Sequence, residues 1–285
     1  MILSFHPLYP GDMNISCAGR EPGAKELHAI QSAHAVILPQ GCRKSLYLMA
    51  RKACPHVFPN YDARFQYPDK FGQARLFQEI GVPHPRTIRY DRRKLSHSKY
   101  EDLIKAPPFS FPFVFKFEWG GGGENVFLVD SAPVFEAVLN KAILYETTGQ
   151  YGFLLQEFIP SRTRSLRVVV IHRRYFSYWR VQPQPLEFCA NVEKGAHITH
   201  DADPHLQEAG VAAAADFCKK THINLAGFDF LFSEKVLEKG RIEPLFLEIN
   251  YFFGRKGIGG SDTYYRILLK EIDNWVNRLP IHSLR

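Results

Sequence analysis

No two of the five cysteines are separated by just two residues; Cys17, Cys42, Cys54, Cys189 and Cys218 are scattered and odd in number. This excludes a disulfide framework and a cysteine zinc site, and the thiols are expected to be reduced and buried. No apolar run approaches the roughly 18 residues that a bilayer span needs. The opening MILSFHPLYPGDM also lacks a basic stretch followed by an apolar one, so a cytoplasmic protein away from membranes is expected. Low-complexity tracts are absent, and 14% aromatic residues, with 23 Phe, exclude a disordered chain.

What is present fits a globular protein of enzyme size. The chain has 285 residues, 45% of them apolar, and 36 Lys and Arg against 29 Asp and Glu leave a formal charge of +7. Such a chain buries about 75% of the surface its unfolded form exposes, which needs no staple, and its length allows about two domains. The charge is a weak nucleic-acid footprint, and no interleaved aromatic and basic strand accompanies it, so nucleic acid is not an expected partner.

Along the chain, 34–39 reads as a short strand, 42–53 as a helix with Leu46, Met49 and Ala50 on one face, and 56–61 as another strand. This β-α-β unit indicates a small parallel sheet, and the first dozen residues are too irregular to extend it. Asp69 is expected to cap a helix carrying Phe71, Ala74, Leu76, Phe77 and Ile80, which Gly81 and Pro83 end. The basic stretch 89–108 reads as solvated charge closing in a loop at Pro107-Pro108. In FPFVFKF the alternation places Phe113, Phe115 and Phe117 on one side and Val114 with Lys116 on the other, ahead of four glycines and a second strand. A helix over 132–146 follows, then strands over 153–159, 166–171 and 174–182, and a helix over 204–220. Strands over 227–232 and 244–250 precede a last helix with Tyr264, Leu268, Ile272, Trp275 and Leu279 as a core stripe.

Gly120 to Gly123 let backbone amides approach an anion, although four glycines also suit a plain hairpin tip. Neither the P-loop nor the G-x-G-x-x-G spacing is present, and no H-R-D or D-F-G motif marks a protein kinase. Lys116, at the end of its strand beside the glycines, turns the balance toward phosphate. In FLEIN, Glu248 and Asn250 point one way while Leu247 and Ile249 point the other. Asp229 is a lone carboxylate in the apolar strand GFDFLF and needs a partner there, either an arginine or a cation. Three oxygen side chains on neighbouring strands suit Mg²⁺, and together with the lysine and glycines they imply a nucleoside triphosphate. Six arginines lie within 162–180. Arg167 and Arg180 sit inside strands, where a planar fork can take phosphate oxygens in pairs, whereas Arg173 and Arg174 fall at a turn. The run HITHDADPH matches neither a zinc spacing nor an EF-hand and reads as a polar loop before a helix.

The ordered set PDK with GVPHPRT, FPFVFKFEWGGGG, LLQEFIP, LRVVVI, NVEKGA, GFDFLF and FLEIN resembles the ATP-grasp superfamily. Within it, the set is similar to carboxylate-amine ligases related to ribosomal protein S6 glutamate ligase and glutathione synthetase, over Tyr67 to Arg285. The resemblance implies an α/β (α+β) ATP-grasp fold, two α+β subdomains gripping ATP behind a short β-α-β N-terminal domain. The corresponding segments are 1–66, 67–155 with the glycine-rich lid, and 156–285. It implies ATP and two Mg²⁺, with Mn²⁺ as a substitute. Lys70 and Lys116 are then the phosphate lysines, Gly120, Gly121, Gly122 and Gly123 the flap, and Glu157, Phe158 and Ile159 the adenine rim. Arg167, Arg180 and Asn191 face the phosphates and acyl substrate, while Asp229, Glu248 and Asn250 hold the metal. Two departures stand out: Ser165 replaces an aspartate of close relatives, and YFFGRKGIGGSD replaces a small proline-containing loop. That loop, with Arg255 and Gly257 before a helix N-terminus, is expected to cradle the acceptor carboxylate or the transferring phosphate. An ADP-forming carbon-nitrogen ligase acting on small acids and amines, with an acidic amino acid or peptide among them, is therefore expected. A kinase of the same fold acting on an alcohol and a non-catalytic nucleotide-binding regulator are the alternatives. The oligomeric state stays open, homo-oligomers included.

Overall fold

The computed structural model describes residues 1–91, 97–120, 125–182 and 195–280. They form three sheets. Strands β1 (Ile2–Ser4), β2 (Met13–Asn14), β3 (Ala35–Ile37) and β4 (Val57–Phe58) make a parallel sheet in the order β2-β1-β3-β4, with helices α1 (Ala24–Gln31) and α2 (Lys44–Ala53) in the connections. The β3-α2-β4 unit is the one expected. Its extension by β1, β2 and α1 was hidden because strands of two or three residues are too short to show a period.

After α3 (Asp62–Gln66) and α4 (Asp69–Ile80) comes an antiparallel sheet of β5 (Thr87–Tyr90), β6 (Phe113–Phe117), β7 (Val126–Val129) and β8 (Phe153–Glu157), in the order β5-β8-β6-β7. Helices α5 (His97–Lys105) and α6 (Ala132–Glu146) cover one face, where Phe113, Phe115, Phe117, Phe135, Phe153 and Leu155 form a separate core. Helix α5 and the last two residues of β5 lie in the stretch read as solvated charge. Tyr100 is buried there and donates its hydroxyl to Glu146 at 2.7 Å, with Leu103 and Ile104 on the same core. Three apolar positions at i, i+3 and i+4 suffice for a helix that needs only one covered face.

The third sheet is antiparallel throughout: β9 (Arg164–Ile171), β10 (Arg174–Val181), β11 (His197–Thr199), β12 (Leu225–Leu231) and β13 (Leu245–Asn250), in the order β11-β10-β9-β12-β13. Helix α7 (Pro204–Thr221) lies on one face, α8 (Glu234–Leu237) follows β12, and α9 (Gly260–Val276) lies on the other face. Leu166, Val168 and Val170 of β9 join Phe217, Phe228 and Phe246 in a core that also takes in Leu3 and Val36 of the first sheet. Val169 and Ile171 face Tyr264, Leu268 and Ile272 of α9, the stripe expected from its spacing. Helix α4, though it precedes the second sheet, buries Leu76 and Phe77 in the core of the third. It is capped by Pro68, not Asp69; Asp69 is its first residue, with φ of 56° and no capping side-chain bond. No helix among the described residues is long and apolar enough to cross a membrane.

Candidate active site

The second and third sheets face each other across a cavity of about 820 Å³. The wall from the third sheet is built by register. Asp229 on β12 lies opposite Arg167 on β9 and Glu248 on β13, and Gly227 opposite Asn250. The two-residue periods therefore bring Arg167, Asp229, Glu248 and Asn250 to one face while Phe228, Phe230 and Ile249 go to the core. Asp229 is 2% exposed. Arg167 donates to both of its oxygens, through Nε and, at 2.8 Å, through Nη2. Arg180 Nη2 lies 2.9 Å from Asp229 Oδ2 and donates to Ser165 Oγ at 2.9 Å, and Asn250 Nδ2 donates to Oδ2 at 3.1 Å. Burial acts to raise the Asp229 pKa, but the guanidinium charges of Arg167 and Arg180 and their hydrogen bonds outweigh it and leave the carboxyl below its ordinary value. Ser165, at the position where an aspartate was expected from the resemblance, serves as the hydroxyl that steadies Arg180. A Cβ on Gly227 would come within 3.0 Å of Arg167 Cδ, so the arginine lies across that glycine.

Opposite them the second sheet turns Val114, Lys116, Leu154 and Gln156 to the cavity. Lys70, at the start of α4, donates to the carbonyls of Glu118, Trp119 and Gly120 at 3.4, 3.2 and 3.0 Å, holding the strand end that leads into the glycines. Burial lowers the Lys70 pKa, partly offset by Glu248 and Glu118. The Glu118 carboxyl accepts from the Phe71 amide at 3.0 Å, yet burial dominates and pushes its pKa up to about 8. Gly120 has φ of 86°, a backbone state that side chains resist, and the Asn125 amide fills the place of a Cβ. Glu157, Phe158 and Ile159 line the rim beside the apolar Val114, Leu128, Leu154 and Phe246, and the Glu157 amide is used on Arg86 O at 2.9 Å.

At the far end, Arg255 stacks its guanidinium over Tyr264 and Tyr265, at 4.6 and 4.5 Å from the ring centroids, and has no carboxylate partner among the described residues. Gly257 lines the cavity with Lys256, and the Tyr178 ring occupies the space where its side chain would stand, which is a packing reason for the glycine. The expected residues Asn191, Gly121, Gly122 and Gly123 lie outside the described residues. Every other expected site residue lines this one cavity. Sequence reasoning missed Gln73, Gln156, Thr163 and Tyr178, which line it too; a polar residue in a half-buried helix or strand carries no sign of the partner it meets.

For Mg²⁺ the donor atoms are of the right kind. Among the described residues no three His, Cys, Asp or Glu side chains gather into a metal-holding group; the oxygens here come from two carboxylates and an amide. Glu248 makes no side-chain hydrogen bond or ion pair among the described residues, and Asn250 uses its nitrogen on Asp229, which leaves its oxygen as the ligand atom. The arginine pair on Asp229 is the alternative partner weighed from sequence, so Glu248 and Asn250 are the better-prepared ligands. The buried Nε of Arg180 has no hydrogen-bond partner among the described residues, an orphan donor in the cavity wall.

A family model described as a RimK-like ATP-grasp domain matches residues 68–267, more than half of the chain. The chain belongs to the RimK-like ATP-grasp family. No curated protein sequence matches it. Among solved structures, this ATP-grasp chain is similar to a RimK domain protein from Sphaerobacter thermophilus, with TM-score 0.57 and 17% identity over 85% of this chain and 81% of that one. The D-alanine-D-alanine ligase of Coxiella burnetii gives 0.57 and 15%, over 86% and 68%. Carboxyaminoimidazole ribonucleotide synthase of Aspergillus clavatus, complexed with ATP, gives 0.59 and 14%, over 99% and 71%. At these identities the likeness is one of fold, and it agrees with the α/β ATP-grasp architecture expected from the motifs.

Proposed function

We propose that this protein is an ATP-dependent carboxylate-amine ligase, forming an amide or peptide bond through an acyl phosphate and releasing ADP. The observation that carries this is the cavity itself. Cationic Lys70 and Lys116 come from one side, Arg167 and Arg180 with Glu248 and Asn250 from the other, in a space sized for a nucleotide and a small acid. The adenine ring would lie in the slot of Val114, Leu128, Leu154 and Phe246, with Glu157, Phe158 and Ile159 along its edge.

In this scheme a substrate carboxylate oxygen attacks the γ-phosphorus, the bond to the β-bridging oxygen breaks, and ADP leaves. Lys116 and Arg180 neutralise charge on the equatorial oxygens, and the orphan Arg180 Nε gains its acceptor there. Lys70 exchanges loop carbonyls for phosphate oxygens, which frees the strand end at Gly120 to close over the site. An amine then attacks the acyl carbon, the carbon–oxygen bond to the phosphate breaks, and inorganic phosphate departs with the proton that the nitrogen gives up. Arg167 stays fixed by Asp229 and faces the reacting carboxylate. Glu248, Asn250 and one oxygen of Asp229 would hold Mg²⁺, which supplies charge neutralisation on the phosphates. The Arg255 and Lys256 loop favours an acceptor bearing extra negative charge, held beside the Tyr264 and Tyr265 rings.

A phosphate-release screen with Mg-ATP and panels of amino acids, dipeptides and dicarboxylates tests this. Free phosphate appearing only with an acid and an amine together supports the ligase. Phosphate left stably on the product supports the kinase, and binding of ATP with no turnover across the panel supports the regulator. Glu248→Gln should keep the fold and lose turnover strongly; an unchanged rate and magnesium dependence would remove Glu248 from the site. If Arg255→Ala keeps the same KM for an acidic substrate, the loop is not its clamp.

A further inference from the structure

Strand β13 is an edge strand, with β12 on one side only. An edge leaves alternate backbone groups without a partner. At Ile249, between Glu248 and Asn250, both open groups are taken by one side chain: Gln73 Nε2 donates to Ile249 O at 2.9 Å, and Ile249 N donates to Gln73 Oε1 at 2.8 Å. A side-chain amide thus pairs with the strand as another strand would. Gln73 lies on α4 three residues after Lys70, about 4.5 Å along the helix axis. The same helix is fixed in the core by Leu76 and Phe77 against Phe217 and Phe246. Packing sets where the helix lies. The two amide bonds set how far it can slide along β13.

We infer that Gln73 is a positioning residue, which locks the helix bearing Lys70 in register with the strand bearing Glu248 and Asn250 and so fixes the spacing between the phosphate cation and the metal oxygens. This rests on Glu248 and Asn250 being metal ligands, as proposed above. Gln73 lines the cavity, but both ends of its amide are used on the backbone of Ile249, and it acts through that backbone. Nothing in the packing of α4 requires an amide at this position, because a methionine fills nearly the same volume.

The test compares Gln73→Met, Gln73→Glu and Glu248→Gln in the full chain, with Mn²⁺ as the probe. Mn²⁺ binding in the presence of ATP is read by electron paramagnetic resonance, ATP binding without metal by calorimetry, and the Ile249 amide by hydrogen exchange. For Gln73→Met the expected result is faster Ile249 exchange, Mn²⁺ affinity weakened about tenfold, and unchanged metal-free ATP affinity. Gln73→Glu keeps the acceptor and loses the donor, so it should protect Ile249 and fall between the other two; it decides the matter if the methionine variant does not fold. Wild-type Mn²⁺ affinity in a folded Gln73 variant, while Glu248→Gln loses the metal, overturns the positioning role and leaves the metal assignment standing. Unchanged Mn²⁺ binding in Glu248→Gln overturns both.

Discussion

The two walls of the cavity solve the problem of presenting charge in opposite ways. On the third sheet, charge is balanced inside the wall: Asp229 is enclosed by Arg167, Arg180 and Asn250, and every position is set by strand register. On the second sheet, charge is presented at a strand end above a core rich in phenylalanine and separate from the core of the third sheet. The first wall is a pre-organised acceptor of charge. The second is a plate with a core of its own, tied to α4 at its strand end by Lys70 and the Phe71 amide. A site that must admit substrates and then exclude water needs one wall to approach the other, and separate cores are what such a motion would require.

The contrast is broken most severely by Asp229→Asn. Removing one partner of a buried ion pair leaves two guanidinium groups without their counter-charge, with an expected loss of about 3–5 kcal/mol in denaturant unfolding. A loss below about 1 kcal/mol, the range of exposed pairs, would mean that water reaches the network. Lys116→Met comes next. It should cost about 3 kcal/mol of transition-state stabilisation, with weaker ATP binding by calorimetry. Equal ATP affinity and rate would remove Lys116 from the phosphate site. Leu155→Ala in the plate should cost about 2 kcal/mol or more, and hydrogen exchange should quicken in β5 to β8 while β9, β12 and β13 stay protected. Uniform loss of protection would show that the plate is not a separate unit. A last way to break the contrast concerns pH. The Glu118 carboxyl is raised from 4.5 to about 8, so the folded state keeps a proton that the unfolded state gives up. The stabilisation is complete below pH 4.5 and is lost as pH rises from there through about 8, above which both states are ionised and the contribution no longer changes. Wild-type melting temperature should fall over that interval more steeply than that of Glu118→Gln; parallel curves would show that Glu118 titrates as an ordinary surface acid.

Which way a side chain points within a strand was far more legible in the sequence than what it meets on the next strand. Alternation in FVFKF, FDF and FLEIN was enough to place Lys116, Asp229, Glu248 and Asn250 on the cavity side, because strand period is a property of two or three neighbours. Register between strands is not local. That Asp229 would meet Arg167 and Arg180 at once depends on a pairing of residues 62 and 49 positions apart, and the sequence reading favoured a cation over an arginine as its partner. Helix α5 was lost among its own charges. Gln73 had no signal at all, since its partner is backbone, and backbone looks alike at every residue.

The second sheet with its helices, residues 87–157, is inserted into the sequence of a core that it does not share. Leu3, Val36, Leu76 and Phe77 pack against Leu166, Phe228 and Phe246, which lie beyond it in the chain. During synthesis the plate can therefore be complete while the earlier apolar residues still wait for partners not yet made, and closing so large a loop makes their core late and slow. A chain ending at Glu157 should show slow exchange in β6 and β8 and fast exchange in α4. Protection in α4 of that fragment would mean that the first sheet can shelter the helix alone. Assembly is thus expected to run from the middle outward, with residues 87–157 closing their own core first and the core that joins the two ends of the chain sealed last.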